Sequence, residues 1–188
     1  MSKTFDARRL DVAAFAQSGA SLAGRESLYF YERLAQESQG ETADSMPDPP
    51  WVDWQSTGGF RRAADGSLRP SIHLRAHVGL PLTCQRCLGQ VQTQVDIDRH
   101  VVFVDDEDSA AALDDESDDD VLAIVPGFDL HGLIEDELLL ALPLVPRHEA
   151  CADGVQLSAQ SADFDTALHD KPQPFAALAA LRKGDQGR

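Results

Sequence analysis

Residues 101–140 contain no lysine and no arginine, yet hold fourteen acidic side chains. The whole chain of 188 residues carries a formal charge of −16, and outside that stretch 18 acids nearly balance 16 bases. Residues 61–100 lean the other way, with Arg61, Arg62, Arg69, Arg75, Arg86 and Arg99 against Asp65, Asp96 and Asp98. A uniformly acidic chain argues against nucleic acid, but a chain with one acidic and one basic segment does not permit that exclusion.

Other scarcities narrow the field. No apolar run reaches the roughly 18 residues that a membrane-spanning helix needs. The most apolar block, residues 138–146, is short and is interrupted by Pro143. The opening MSKTFDARRL lacks the apolar core of a secretory signal, so a cytoplasmic protein with no membrane partner is expected. Only three cysteines are present. In a reducing compartment that number points to metal binding or plain burial rather than a disulfide framework. There is no phosphate-binding glycine loop, no G-x-S-x-G and no H-E-x-x-H, so neither an enzyme nor a small-molecule substrate is indicated.

The most ordered signal is residues 68–88, LRPSIHLRAHVGLPLTCQRCL. From Leu68 to Leu82 every even position is apolar or proline, the period of a strand with one buried face. The strand runs into Cys84-Gln85-Arg86-Cys87. After Leu88-Gly89-Gln90 the alternation resumes with its phase reversed: Val91, Thr93, Val95, Ile97, Val101 and Phe103 occupy odd positions. Two antiparallel strands are expected, joined by a turn that carries two thiols. Residues 51–62 form a further strand with Val52, Trp54 and Phe60 on one face, and Gly58-Gly59 marks a bulge in it. Asp65-Gly66 supplies the hairpin turn to the next strand. Residues 121–125 suit one more short strand.

Helices are expected over 6–17, stopped by Ser18-Gly19, and over 28–37, capped by Ser27, with a short extended piece near Leu22 between them. The strongest helical pattern spans 130–142, where Leu130, Leu133, Ile134, Leu138, Ala141 and Leu142 form one stripe. Asp129 caps it and Pro143 ends it. Glu135, Asp136 and Glu137 then read as its charged outer face. Residues 105–120 read as a flexible acidic loop. The fold class is α+β: an antiparallel β-meander of three or more strands packed with a few helices. A single domain over 1–153 is expected, followed by a polar tail over 154–188 with a short helix over 175–181.

Three groups of residues carry candidate chemistry. Cys84 and Cys87, joined by His148 and Cys151 in an H-x-x-C, supply three thiolates and one imidazole, a closed set suited to structural Zn²⁺. Some sixty residues separate the two pairs, and the bland alternative is buried thiols with an unrelated third cysteine. A thioredoxin-like role lacks the surrounding βαβ pattern. The second group is a polar sheet face: Arg69, His73, Arg75 and His77 share one side of the central strand, Arg61 joins them, and Arg86 sits at the turn. That face suits RNA phosphates, and its bland alternative is an ordinary solvated surface. The third group is Asp114, Asp115, Asp118, Asp119 and Asp120, a dense negative segment suited to a basic protein partner. Trp51 and Trp54 have opposite parity, so no stacking platform is assigned to them.

The motifs LTCQRC (82–87), LIEDEL (133–138) and LPLVP (142–146), with the ending PFAALAAL (174–181), resemble the YceD family, also called the large ribosomal RNA subunit accumulation protein. The resemblance spans most of the chain. It implies a non-catalytic factor that supports accumulation or processing of large-subunit (23S) ribosomal RNA, acting on precursor RNA or on a basic ribosomal protein. Some relatives carry several cysteines after the helix, where this chain has His148 and Cys151. The competing expectation is a zinc-dependent or redox protein built on Cys84 and Cys87.

Overall fold

The structure is a computed structural model, and it describes residues 4–38, 50–63, 66–114, 117 and 119–151. Within one compact unit ending at Cys151, the elements run in chain order as α1 (Val12–Ser18), β1 (Ser21–Ser27), a 3₁₀ turn (Leu28–Phe30), α2 (Glu32–Glu37), β2 (Trp51–Arg62), β3 (Leu68–Thr83), β4 (Gln90–Val104), α3 (Glu107–Asp114), β5 (Asp120–Ala123) and α4 (Leu130–Leu140). The class is α+β. One five-stranded sheet has the order β1-β2-β3-β4-β5. Its first four strands pair antiparallel, and β5 runs parallel to β4. A parallel partner needs a crossover connection, and α3 supplies it. The expected terminal helix over 175–181 lies outside the described residues.

The two long strands follow their alternation closely. Ile72, Leu74, Val78 and Leu80 of β3 and Val101 of β4 are fully buried. They pack with Leu10, Phe15, Leu34, Leu130, Ile134 and Leu138 in a single core, so α1 and α4 lie on one face of the sheet. Each such side chain withdrawn from water contributes roughly 1.5–3 kcal/mol. A part-buried polar knot fastens the edge strand to this core. The Glu26 carboxylate of β1 accepts from the Tyr31 hydroxyl at 2.8 Å and from the Trp54 indole N–H at 3.2 Å, and the Tyr31 ring stacks on His131 of α4 at 4.2 Å.

Several expectations are corrected. The acidic run is not wholly a loop, because residues 107–114 form α3. Asp106 accepts from the Ser109 amide at 2.7 Å as a cap. Glu107 and Asp108 suit the positive end of the helix, and the alanines that follow are strong helix formers. Ala110 then packs with Val104 and Val121 in a small second cluster. By strand parity Val104 shares its side of β4 with Asp98 and His100, so α3 covers one end of the polar face. Asp115 and Asp118 lie outside the described residues.

The bulge at Gly58-Gly59 is absent: the pairing of β2 with β3 runs without interruption from Val52↔Val78 to Arg62↔Leu68. Gly58 is needed for another reason, since a Cβ there would lie 2.5 Å from the Phe15 carbonyl oxygen. Phe60 is half exposed rather than core, because it lies beyond the end of α1's cover. The first helix starts only at Val12, capped by Asp11 and closed by Gly19 in the left-handed conformation. The helix expected over 28–37 breaks at Tyr31 into a 3₁₀ turn and α2. Glu135 and Glu137 are buried, not outward-facing. Glu135 accepts from the Arg33 amide at 2.7 Å and the Leu34 amide at 3.3 Å, and from the Arg33 guanidinium at 2.8 Å. It thus caps α2 from another helix, where Tyr31 provides no side-chain cap.

Candidate metal clasp and polar sheet face

The β3–β4 turn is tight. The Cys84 amide donates to the Gly89 carbonyl at 2.8 Å, and the Leu88 amide donates back to Cys84 at 2.9 Å. Leu88 adopts φ +59°, a conformation that costs a side-chain-bearing residue roughly 1–2 kcal/mol and that clusters at functional sites. After α4, Pro143 sends the chain back toward this turn. The Gln85 amide donates to the Pro146 carbonyl at 2.8 Å, and the Arg86 guanidinium to the His148 carbonyl at 3.3 Å. These contacts bring the distant H-x-x-C onto the C-x-x-C.

The ligand atoms of Cys84, Cys87, His148 and Cys151 all lie within 4.8 Å of one another. Cys84 Sγ is 3.9 Å from Cys151 Sγ. His148 Nδ1 is 3.5 Å from Cys87 Sγ and 4.0 Å from Cys151 Sγ. Bond lengths of about 2.3 Å to sulfur and 2.0–2.1 Å to nitrogen give tetrahedral edges of about 3.8 and 3.6 Å, so the residues fit a tetrahedral metal ion. The other imidazole nitrogen, Nε2, donates to the Gln90 carbonyl at 2.8 Å. That bond fixes the tautomer and turns the Nδ1 lone pair toward the thiols. Cys84 is buried. Burial works against its thiolate, but the amides of Cys87, His148 and Arg86 outweigh it and bring the thiol down to about 5. Burial, with the Cys87 and Cys84 sulfurs, raises Cys151 to about 11.

On the sheet face away from α1 and α4, His73 and His100 are direct cross-strand partners, with rings stacked at 4.1 Å. They line a concavity of about 400 Å³ together with Thr57, Gly59, Arg61, Ser71 and Arg75. The cations of this face have acidic neighbours. Asp98 sits 2.6 Å from His73 Nε2 and 3.2 Å from Arg75 Nε. The His73 hydrogen bond holds the Asp98 carboxyl below its ordinary range. Asp53 lies 3.6 Å from His77 and 3.7 Å from Arg25. Asp119, from the segment after α3, lies 2.6 Å from Arg61 Nε. His100 is held below the ordinary imidazole value by burial, helped by His73 and Arg61. Arg69 pairs in register with Arg61. Arg86 belongs to the metal clasp rather than to the concavity.

The structure therefore brings His73, Arg75 and Arg61 to one concavity and places Arg86 elsewhere. Sequence reasoning missed His100 and the acidic partners. The reversed phase of β4 held the signal for His100: once the turn fixes the register, position 100 must face 73. Glu107, Asp108 and Asp114 are exposed on α3, whereas Asp119 is half-buried against Arg61 and Asp120 opens β5.

Fold and site together define a class: an α+β protein whose long central hairpin carries a Cys₃His clasp at its turn. A family model described as "Large ribosomal RNA subunit accumulation protein YceD" matches residues 72–182. The chain belongs to the YceD family. A relative from Haemophilus influenzae, named "Large ribosomal RNA subunit accumulation protein YceD", is 33% identical over 112 residues, which cover 58% of this chain and 63% of the relative. No solved structure matches. The family match begins inside β3, so Arg61 and Arg69 lie upstream of it.

Proposed function

We propose that this protein is a non-catalytic, cytoplasmic factor in the biogenesis of the large ribosomal subunit, supporting accumulation of 23S ribosomal RNA by contacting precursor RNA through its polar sheet face. The printed name of its family and of its relative supports the ribosomal role. The observation that carries the mode of action is the concavity, where two stacked imidazoles, Arg61 and Arg75 meet. Arginine reads phosphate, and flat rings accept an unpaired base. The clasp holds structural zinc in this reading. Three thiolates and one imidazole fill a tetrahedral shell and leave no open position for a substrate, which disfavours the zinc-enzyme alternative.

A second reading is supported by α3. It displays Glu107, Asp108 and Asp114 on an exposed helix, within forty residues that contain no lysine or arginine. A basic ribosomal protein is the matching partner. A tagged pull-down of the full chain from growing cells, with and without ribonuclease, separates the two. The RNA reading expects large-subunit precursor RNA that salt strips readily. A basic ribosomal protein that persists after ribonuclease, with no RNA enriched, favours the second reading. Recovery of neither refutes both.

A further inference from the structure

Among the described ion pairs of the polar face, Arg25 and His77 share Asp53, and His73 and Arg75 share Asp98, all within the antiparallel strands. Arg61 differs. Its partner Asp119 arrives from the crossover between α3 and β5, at 2.6 Å. The pairing of β5 along the end of β4, Val101↔Asp120, delivers that carboxylate to the concavity's rim. Asp119 therefore occupies the guanidinium that an incoming phosphate would use.

We infer that Asp119 is a built-in competitor for RNA at Arg61, so that this one carboxylate gates the sheet-face site. The inference rests on the RNA reading above and adds its regulation. A phosphodiester carries the same charge as a carboxylate and suits the guanidinium fork equally well, so RNA enters by exchange rather than by occupying a vacant cation. Only molecules with Arg61 released bind at full strength, and the apparent affinity falls by that fraction. A basic partner that takes the Asp119 carboxylate opens the site, and by linkage RNA strengthens the binding of that partner in equal measure. Asp119 and the arginine face then act as two halves of one device rather than as rival interfaces.

The test measures binding of a fluorescein-labelled single-stranded RNA oligonucleotide by anisotropy at fixed ionic strength. It uses the full chain as wild type, D119N, D114N, R61A and R61A/D119N, each checked for an unchanged thermal melt. Asp114 is exposed on α3 and controls for net charge. D119N is expected to tighten binding by about fivefold, the range of a part-exposed ion pair, while D114N stays within about twofold. R61A weakens binding, and adding D119N to it restores nothing. Equal gains from D114N and D119N would reduce the effect to bulk charge and overturn the gate. An unchanged D119N beside a weakened R61A would also overturn the gate, yet leave the RNA reading standing. R61A binding like wild type would remove the RNA reading and the gate together.

Discussion

Replacing Glu135 by glutamine should destabilise the fold more than any exposed acid-to-amide change. The carboxylate accepts two amide hydrogens at the start of α2 and a guanidinium, at 2.7, 3.3 and 2.8 Å. Its side chain is 11% exposed, against 54% for Arg33. Both amides use Oε1 and the guanidinium uses Oε2, so glutamine keeps an acceptor for the amides but sets an NH2 group against Arg33; the lost charged hydrogen bond costs about 1.5–3 kcal/mol. The half-exposed guanidinium is discounted for solvent screening. With that discount, about 2 kcal/mol is expected. In a fold of this size that lowers Tm by roughly 4–8 °C.

The pH dependence supplies the sign. Burial alone would raise the Glu135 carboxyl, but Arg33 and the two amides outweigh it and hold it below its ordinary 4.5. A carboxyl depressed in the folded state contributes stability above its unfolded value, and that contribution is lost as pH falls through the folded value. Thermal melts of wild type and E135Q should differ at pH 7 and converge in acid below the ordinary carboxylate range. Equal melts at pH 7, or a gap unchanged in acid, would refute the assignment of the Glu135 charge as the anchor of Arg33 at the start of α2.

Three further outcomes are expected. Metal analysis of protein purified without chelator should find about one zinc per chain, and C151S should lose both the metal and several degrees of Tm; metal-free protein of full stability would remove the clasp. G58A should cost about 3 kcal/mol or prevent folding, because its Cβ meets backbone at 2.5 Å and a main-chain atom cannot rotate away; urea unfolding reads this, and a neutral result would contradict the packing of α1. E137Q should behave opposite to E135Q. Burial and nearby Asp120 raise the Glu137 carboxyl despite Arg99, so its ionised form costs stability as pH rises through the raised value; the amide should match or slightly exceed wild type at pH 7 and lose that advantage below pH about 4.

The long hairpin was legible because its period-2 signal is strong and local, and the bounds of β3 match the alternation from Leu68 to Thr83. The cap and core stripe of α4 were legible for the same reason. Features set by tertiary contact were not. Glu135 and Glu137 follow the composition of a solvated face, yet α2 and β4 meet that side of the helix. Gly58 carries the signature of a bulge, yet serves the approach of α1. The acidic run is helical because Asp106 caps it and Ala110 finds Val104 and Val121, a partner that no local pattern reveals. The two halves of the Cys₃His set were each visible in the sequence, but their meeting depends on the Gln85–Pro146 bond. The arginines of the sheet face were visible too, whereas their neutralisation by Asp98 and Asp119 depends on strand register.

The central claim is that the concave sheet face meets large-subunit RNA. Ultraviolet crosslinking in growing cells, followed by sequencing of RNA recovered with the full chain, tests it most directly when wild type is compared with R61A/R75A at equal abundance. The account predicts enrichment of large-subunit precursor RNA with wild type and its loss, to about a tenth or less, with the double variant, the effect expected of two phosphate contacts. Enrichment undiminished in the double variant, or no ribosomal RNA with either protein, would contradict it.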